Sequence, residues 1–158
     1  MFDMNVVFER FVGQLFRRYA CPVGHTVHLQ DGSVSLLARH GNPCFSLRPD
    51  VMVRHGEGAV TCVVDTKWKR LDTGKAHRGL EADDVYQMYA YGKGLPATLV
   101  ILLFPRLPGL QQMVDDYRHL LNMDSRILVR TVDVSRPTQL VVQELRQIIS
   151  EAVGPVAA

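Results

Sequence analysis

Apolar side chains at Met4, Val7, Phe8, Phe11, Val12, Leu15, Phe16 and Tyr19 recur every three to four residues, the spacing of one helix face. Asp3 stands at the N-cap position, so a helix is predicted over residues 4–19. Beyond it the period falls to two. Thr26–Gln30 and Val34–Ala38 flank Asp31-Gly32-Ser33, and Phe45–Arg54 and Ala59–Trp68 flank His55-Gly56-Glu57-Gly58. Each set reads as a β-hairpin whose glycines are free to take positive φ. Residues 81–93 read as a helix, with Glu81, Asp83 and Asp84 in the first turn, where the helix dipole favours acids, and Gly92 and Gly94 at its end. Thr98–Phe104 is an apolar run closed by Pro105, as expected of a strand covered on both faces. Gln111–Asn122 is predicted as a helix, Ile127–Val134 as an alternating strand and Thr138–Val153 as the closing helix. The order α, four β, αβ(α)βα predicts the α/β class, a mixed sheet with helices on its faces.

Composition narrows the function classes. The chain has 158 residues, 47% of them hydrophobic and 22% charged, which matches an ordinary globular domain and excludes disordered and fibrous classes. No repeat or linker divides it, so one domain is expected over residues 1–158. A membrane span needs about 18 consecutive apolar residues; the best run here, Thr98 to Phe104, is seven long. The N-terminal MFDMNVVFER has acids where an export signal needs bases, so a cytoplasmic location is expected. Cys21, Cys44 and Cys62 form no CxxC and read as reduced buried thiols. Charge is unevenly spread. Residues 1–80 hold eleven Lys and Arg against seven Asp and Glu, and residues 81–158 hold seven against nine. Lys67, Lys69, Arg70, Lys75 and Arg78 crowd one segment that only Asp72 opposes. A cluster of that density suits a phosphate-rich partner.

The second hairpin carries the candidate chemistry. Alternation sends Val63, Asp65 and Lys67 to one face of the strand and Cys62, Val64 and Thr66 to the other. A turn centred near Gly56–Glu57 brings Asp50 almost opposite Val64–Asp65, so Asp50, Asp65 and Lys67 converge. Two carboxylates at a sheet end suit Mg²⁺, which takes one or two acids and completes its shell with water and substrate phosphate. A neighbouring lysine can orient an attacking water or offset charge on the phosphate. A lone Asp-x-Lys is weak, because such triplets usually form surface ion pairs. Its conjunction with Pro49-Asp50, the strand–turn–strand spacing and the basic segment makes a metal site acting on a phosphate substrate the stronger reading.

With Pro49-Asp50 and Asp65-Thr66-Lys67 as its signature, the chain resembles the PD-(D/E)xK nuclease superfamily. More narrowly, it is similar to the McrC-type nuclease subunits of methylcytosine-dependent McrBC restriction systems. FDMNVVFERFV (2–12), LRPDVMV (47–53), VVDTKWKRL (63–71) and ADDVYQMYAYG (82–92) carry that likeness, in order, over residues 2–104. The resemblance implies a restriction-endonuclease-like mixed sheet core and Mg²⁺-dependent cleavage of double-stranded DNA, methylated or not, with Mn²⁺ as a substitute. It implies Asp50 and Asp65 as metal-binding acids assisted by Glu9, and Lys67 as the catalytic lysine. Gln87 and Tyr91 match a QxxxY motif, with Gln87 in the catalytic set and Tyr91 supporting it. The two share a helix face, where Gln87 can bond phosphate or water and Tyr91 can stack on or bond the DNA backbone. Lys69, Arg70, Lys75 and Arg78 are expected to contact DNA, while Trp68 and Lys69 support the site. The resemblance also implies a GTP-dependent AAA+ partner of the McrB type. The family's partner-docking region precedes the nuclease domain, and this chain opens at the first nuclease helix, so the likeness covers the nuclease domain alone.

Other chemistries fit less well. Cys21-x₃-His25-x₂-His28 matches no strong zinc spacing, and a strand would send His25 and His28 to opposite faces. No nucleophile elbow and no GxxxxGK[ST] loop occur, so the chain is not itself the GTPase. Two alternatives stay open at this level: a truncated module that binds DNA or a partner without cutting, and a repair-type nuclease of the same superfamily.

Overall fold

The structure is a computed structural model that describes residues 3–95, 97–118 and 125–153. Helix α1 (Met4–Tyr19) is capped by Asp3, whose carboxylate accepts the Asn5 N–H at 2.9 Å. Five strands follow: β1 (His25–Leu29), β2 (Val34–Arg39), β3 (Asn42–Leu47), β4 (Val51–His55) and β5 (Val60–Thr66). Then come α2 (Ala82–Gly94), β6 (Leu99–Pro105), β7 (Val114–Arg118), β8 (Arg126–Val132) and α3 (Thr138–Val153). Six strands form one mixed sheet in the order β1-β4-β5-β6-β8-β7, and β2-β3 is a separate two-stranded ribbon. The three central strands β5, β6 and β8 run parallel, with antiparallel pairs outside them. This is the mixed, helix-flanked core of the restriction-endonuclease-like fold.

Alternation assigns each face its own core. Val51, Val53, Cys62, Val64, Leu99, Ile101, Leu103, Leu128 and Val132 pack on α1 and α3. Met52, Val63, Val100, Leu102, Phe104, Ile127 and Val129 pack under α2, through Met88, Tyr91 and Leu95. β6 is buried on both faces, as its apolar run predicts, and so is β8, whose expected alternation is absent. Among the described residues no helix is long and apolar enough to cross a membrane.

Four further expectations are corrected. The hairpin predicted through Asp31-Gly32-Ser33 does not form: β1 pairs with β4, and β2 pairs with β3. Asp31 accepts the Ser33 N–H at 2.8 Å and so turns the chain locally without closing a ladder. The real ribbon turns at His40-Gly41, both at positive φ (51° and 80°), as a two-residue turn matched to strand twist requires. The strand predicted over Phe45–Arg54 is broken at Arg48-Pro49-Asp50 into β3 and β4, because proline supplies no ladder N–H.

The helix predicted over Gln111–Asn122 is instead strand β7 at Val114–Arg118, and residues 119–122 lie outside the described residues. Arg130 supplies the reason. Only 2% exposed on β8, it donates to the Asp115 carbonyl (3.0 Å), Asp116 Oδ1 (2.8 Å) and Glu151 Oε2 (2.8 Å). A buried guanidinium requires such acceptors, and a strand at residues 114–118 supplies two of them. The thiols also differ from expectation, since Cys62 alone is buried while Cys21 and Cys44 are half-buried.

Arg130→Ala is therefore expected to cost about 3 kcal/mol of stability. Hydrogen exchange should open the amides of residues 114–118 ahead of the β5–β6 core, and uniform protection in the variant would contradict this account of β7.

Candidate active site

The register of β4 on β5 pairs Val51 with Val64, which sets Asp50 beside Asp65 at the end of the ladder. Asp65 and, two residues on, Lys67 point to the α2 face, where both contact Gln87. Parallel pairing of Asp65 with Leu102 on β6 places the carboxylate against an apolar strand, and Asp65 is 2% exposed.

Its oxygens are held by a compact network. Lys67 Nζ lies 2.7 Å from Asp65 Oδ2 and donates to Gln87 Oε1 at 2.8 Å. Gln87 Nε2 donates to Asp65 Oδ1 (3.2 Å) and to the Tyr91 hydroxyl oxygen (2.9 Å). The Tyr91 hydroxyl points its single proton between Asp65 Oδ1 and the Arg48 carbonyl, each 3.2 Å away. Burial, reinforced by the neighbouring Asp50 charge, pushes the Asp65 carboxyl up to about 6, with Lys67 and Tyr91 opposing. The Tyr91 hydroxyl is driven upward by burial first and by Asp65 second, so it stays a neutral donor.

Asp50 is held differently. Its Oδ2 accepts both the Thr66 N–H and the Thr66 hydroxyl, each at 2.7 Å, and its Oδ1 accepts the Gln30 amide at 2.8 Å. Gln30 takes positive φ (52°), an unusual conformation for a side chain of its size, and its backbone N–H reaches the Asp50 carbonyl at 3.3 Å. Glu9, half-buried on α1, is raised above the ordinary carboxyl range by burial and then by Asp50, with Asp65 adding; Arg10 and a hydrogen bond to Gln30 oppose. One amide thus ties Glu9 to Asp50. No sequence signal singles out Gln30, because its role depends on β1 pairing with β4.

Of the expected residues, the structure brings together Asp50, Asp65, Lys67, Gln87 and Tyr91, with Glu9 one layer behind. Tyr91 is corrected in role: at 2% exposure it cannot stack on DNA and instead anchors Asp65 from the core. Tyr86 and Tyr89, on the same helix, are 69% and 37% exposed. Trp68 packs on α1, its ring 5.4 Å from that of Phe8 and its backbone N–H bonded to Asn5 Oδ1 at 3.1 Å. Lys69 is bonded to Asp84 and lies 3.4 Å from Glu81, and Arg78 lies 2.6 Å from Asp115. Both are committed to carboxylates, whereas Arg70 and Lys75 have no side-chain partner among the described residues. In the weaker zinc reading, Cys21 Sγ donates to the His25 carbonyl at 3.2 Å and the His25 ring packs on His55.

No three His, Cys, Asp or Glu side chains among the described residues form a ready-made metal cluster. Two carboxylates suffice for Mg²⁺ when water and phosphate complete its shell, and the donor set fits it. Asp65 Oδ2 is buried with no hydrogen bond, its near neighbour being the Lys67 ammonium. Asp50 repels it, which a bound cation would relieve.

The model of the McrBC 5-methylcytosine restriction system component family matches residues 1–105, a span that ends at the last residue of β6. No curated protein matches the chain.

The raised Asp65 carboxyl fixes a pH dependence. The folded state holds this proton more tightly than the unfolded chain, so metal-free stability falls as pH rises from about 4 to 6, by up to about 3 kcal/mol. Asp65→Asn carries no such charge and should unfold at higher urea than the wild type at about pH 7.5, with the gap closing toward about pH 4. A wild type more stable than Asp65→Asn at the higher pH would refute the assigned strain.

Proposed function

The chain belongs to the McrBC 5-methylcytosine restriction system component family, and from that membership we propose that it is a DNA-cleaving component, a Mg²⁺-dependent endonuclease that hydrolyses phosphodiester bonds. The observation that carries the reading is the buried Asp65 carboxylate at the end of β5, facing Asp50 and bridged to Lys67 at 2.7 Å. A structural ion pair does not require a second acid alongside it, nor a glutamine and a tyrosine to hold it. Perturbed carboxylates of this kind cluster at active sites.

Asp50 and Asp65 would hold the ion, with Mn²⁺ as a substitute and Glu9 acting through Gln30. When bound, the ion supplies Lewis-acid polarisation of the phosphoryl group and a more acidic water. The remaining work falls to the chain. The Lys67 ammonium donates hydrogen bonds that orient an attacking water and offset charge growing on the phosphate. Gln87 accepts from Lys67 and donates to Asp65, so one amide sets the lysine's reach relative to the acid. Tyr91 and Thr66 hold Asp65 and Asp50 in fixed rotamers, the preorganisation that a positioned reaction requires. Family membership supports a role in the restriction of modified DNA, with a GTP-dependent AAA+ subunit of the McrB type as partner and double-stranded DNA, methylated or not, as substrate.

Purified protein incubated with methylated and unmethylated plasmid should nick DNA in Mg²⁺ or Mn²⁺ and not in EDTA, and Asp65→Ala should fall to the EDTA level. Cleavage surviving in Asp65→Ala would sink the assignment. So would an absence of cleavage combined with no Mg²⁺ binding by calorimetry. Gln30→Ala should weaken Mg²⁺ binding by about 10- to 100-fold, the usual cost of losing a residue that orients a metal ligand. Unchanged affinity would remove Gln30 from the site.

A further inference from the structure

The basic run sorts itself once its partners are known. Three of its five cations are spent on carboxylates: Lys67 on Asp65, Lys69 on Asp84 and Glu81, and Arg78 on Asp115. Arg70 and Lys75, the two without a carboxylate partner among the described residues, line one groove of about 620 Å³. Pro105 and Thr131, near the carboxyl ends of β6 and β8, lie on its wall. Carboxyl ends of parallel strands are where open sheets gather ligands.

Arg106, the first residue after β6, lines the same groove. Its side chain is about nine-tenths buried; Nη1 lies 2.7 Å from Glu144 Oε1, and the buried Nε–H has no acceptor. A buried donor left unpaired costs about 1–3 kcal/mol, which an oxygen able to reach it would recover. Glu144 offsets Arg106 from behind. Asp72, the acid on the wall, accepts the Gly74 N–H at 2.9 Å within its own loop. Arg70 and Lys75 therefore leave the groove net positive, while Leu71, Leu107 and Met113 supply an apolar surface suited to sugar. Three peptide units separate Arg70 from Lys67, so their Cα atoms lie within roughly 10 Å. At about 3.4 Å of rise per nucleotide, that is a few phosphates along one strand.

We propose that this groove is a backbone subsite, taking a phosphodiester of the DNA strand one to three nucleotides from the cleaved bond, with Arg70 and Lys75 as its contacts. The inference rests on the nuclease reading and assigns phosphate contact to the two free cations, not to Lys69 or Arg78.

The test measures binding of a short duplex in Ca²⁺ as salt is varied. Each lost phosphate contact flattens the slope of log K against log[salt] by about 0.9. Arg70→Ala/Lys75→Ala should therefore flatten it by about 1.8 with no loss of thermal stability, since both side chains are exposed. Lys69→Ala/Arg78→Ala should leave the slope unchanged while lowering the melting temperature. An unaltered slope in the first variant, with wild-type binding intact, overturns the subsite alone. No wild-type duplex binding overturns the nuclease reading as well. A mononucleotide that binds as tightly as the duplex and is lost in Arg70→Ala/Lys75→Ala would assign the groove to a free nucleotide and overturn the strand subsite.

Discussion

A carboxylate buried at the end of a strand is the constraint on which this architecture turns. Asp65 sits among leucines and valines, where an ionised acid is costly, beside a second acid that raises the cost further. Lys67 offsets it from two residues along the chain, while Gln87 and Tyr91 reach Asp65 only if α2 lies across the β5–β6 seam. The apolar contacts of Met88, Tyr91 and Leu95 hold α2 there. Helix docking and site assembly are thus one event. The same packing that stabilises the fold holds the acid where its charge is least comfortable.

The outer strands serve the same pole. β1 runs beside β4 and ends at Gln30, which hands an amide to Asp50 and another contact to Glu9. The chain then departs into the β2–β3 ribbon and returns through Arg48-Pro49 to Asp50. The ribbon therefore leaves and rejoins the sheet at the acids. Gly94 lets the end of α2 approach the ribbon closely, since a Cβ there would come within 2.3 Å of Leu47 Cδ1. Gly32 does the same under Arg48, whose Nε would lie 2.7 Å from an added Cβ. At Gly32 the neighbour is the end of an exposed arginine, which can shift; at Gly94 it is the end of a buried leucine, which has less room.

Much of this was legible in the chain. The 3.6-residue period over residues 4–19 and 138–153, the apolar run of β6 and the spacing of Asp50 and Asp65 across Gly56 each carried a local signal. Local signals misled where a distant partner decided. Asp31-Gly32-Ser33 has hairpin chemistry, yet β1 pairs with the distant β4 and β2 with β3. Gln111–Asn122 offers mixed polarity without a clear face, and a buried arginine on β8 settles Val114–Arg118 as strand. Tyr91 is chemically able to meet DNA; burial turns it inward.

The sequence by itself determined the inventory: which segments can be helix or strand, that an acid and a lysine share one face with a second acid almost opposite, and that cations crowd residues 67–78. Those follow from periodicity and composition, which act within a few residues. Only the tertiary structure decided which strand β1 joins, that Gln30 bridges Glu9 to Asp50, and which of five cations remain free. These depend on contacts between residues far apart in the chain, such as Arg78 with Asp115 and Lys67 with Gln87. A charge written in the sequence becomes available or spent only when folding brings its counter-charge beside it.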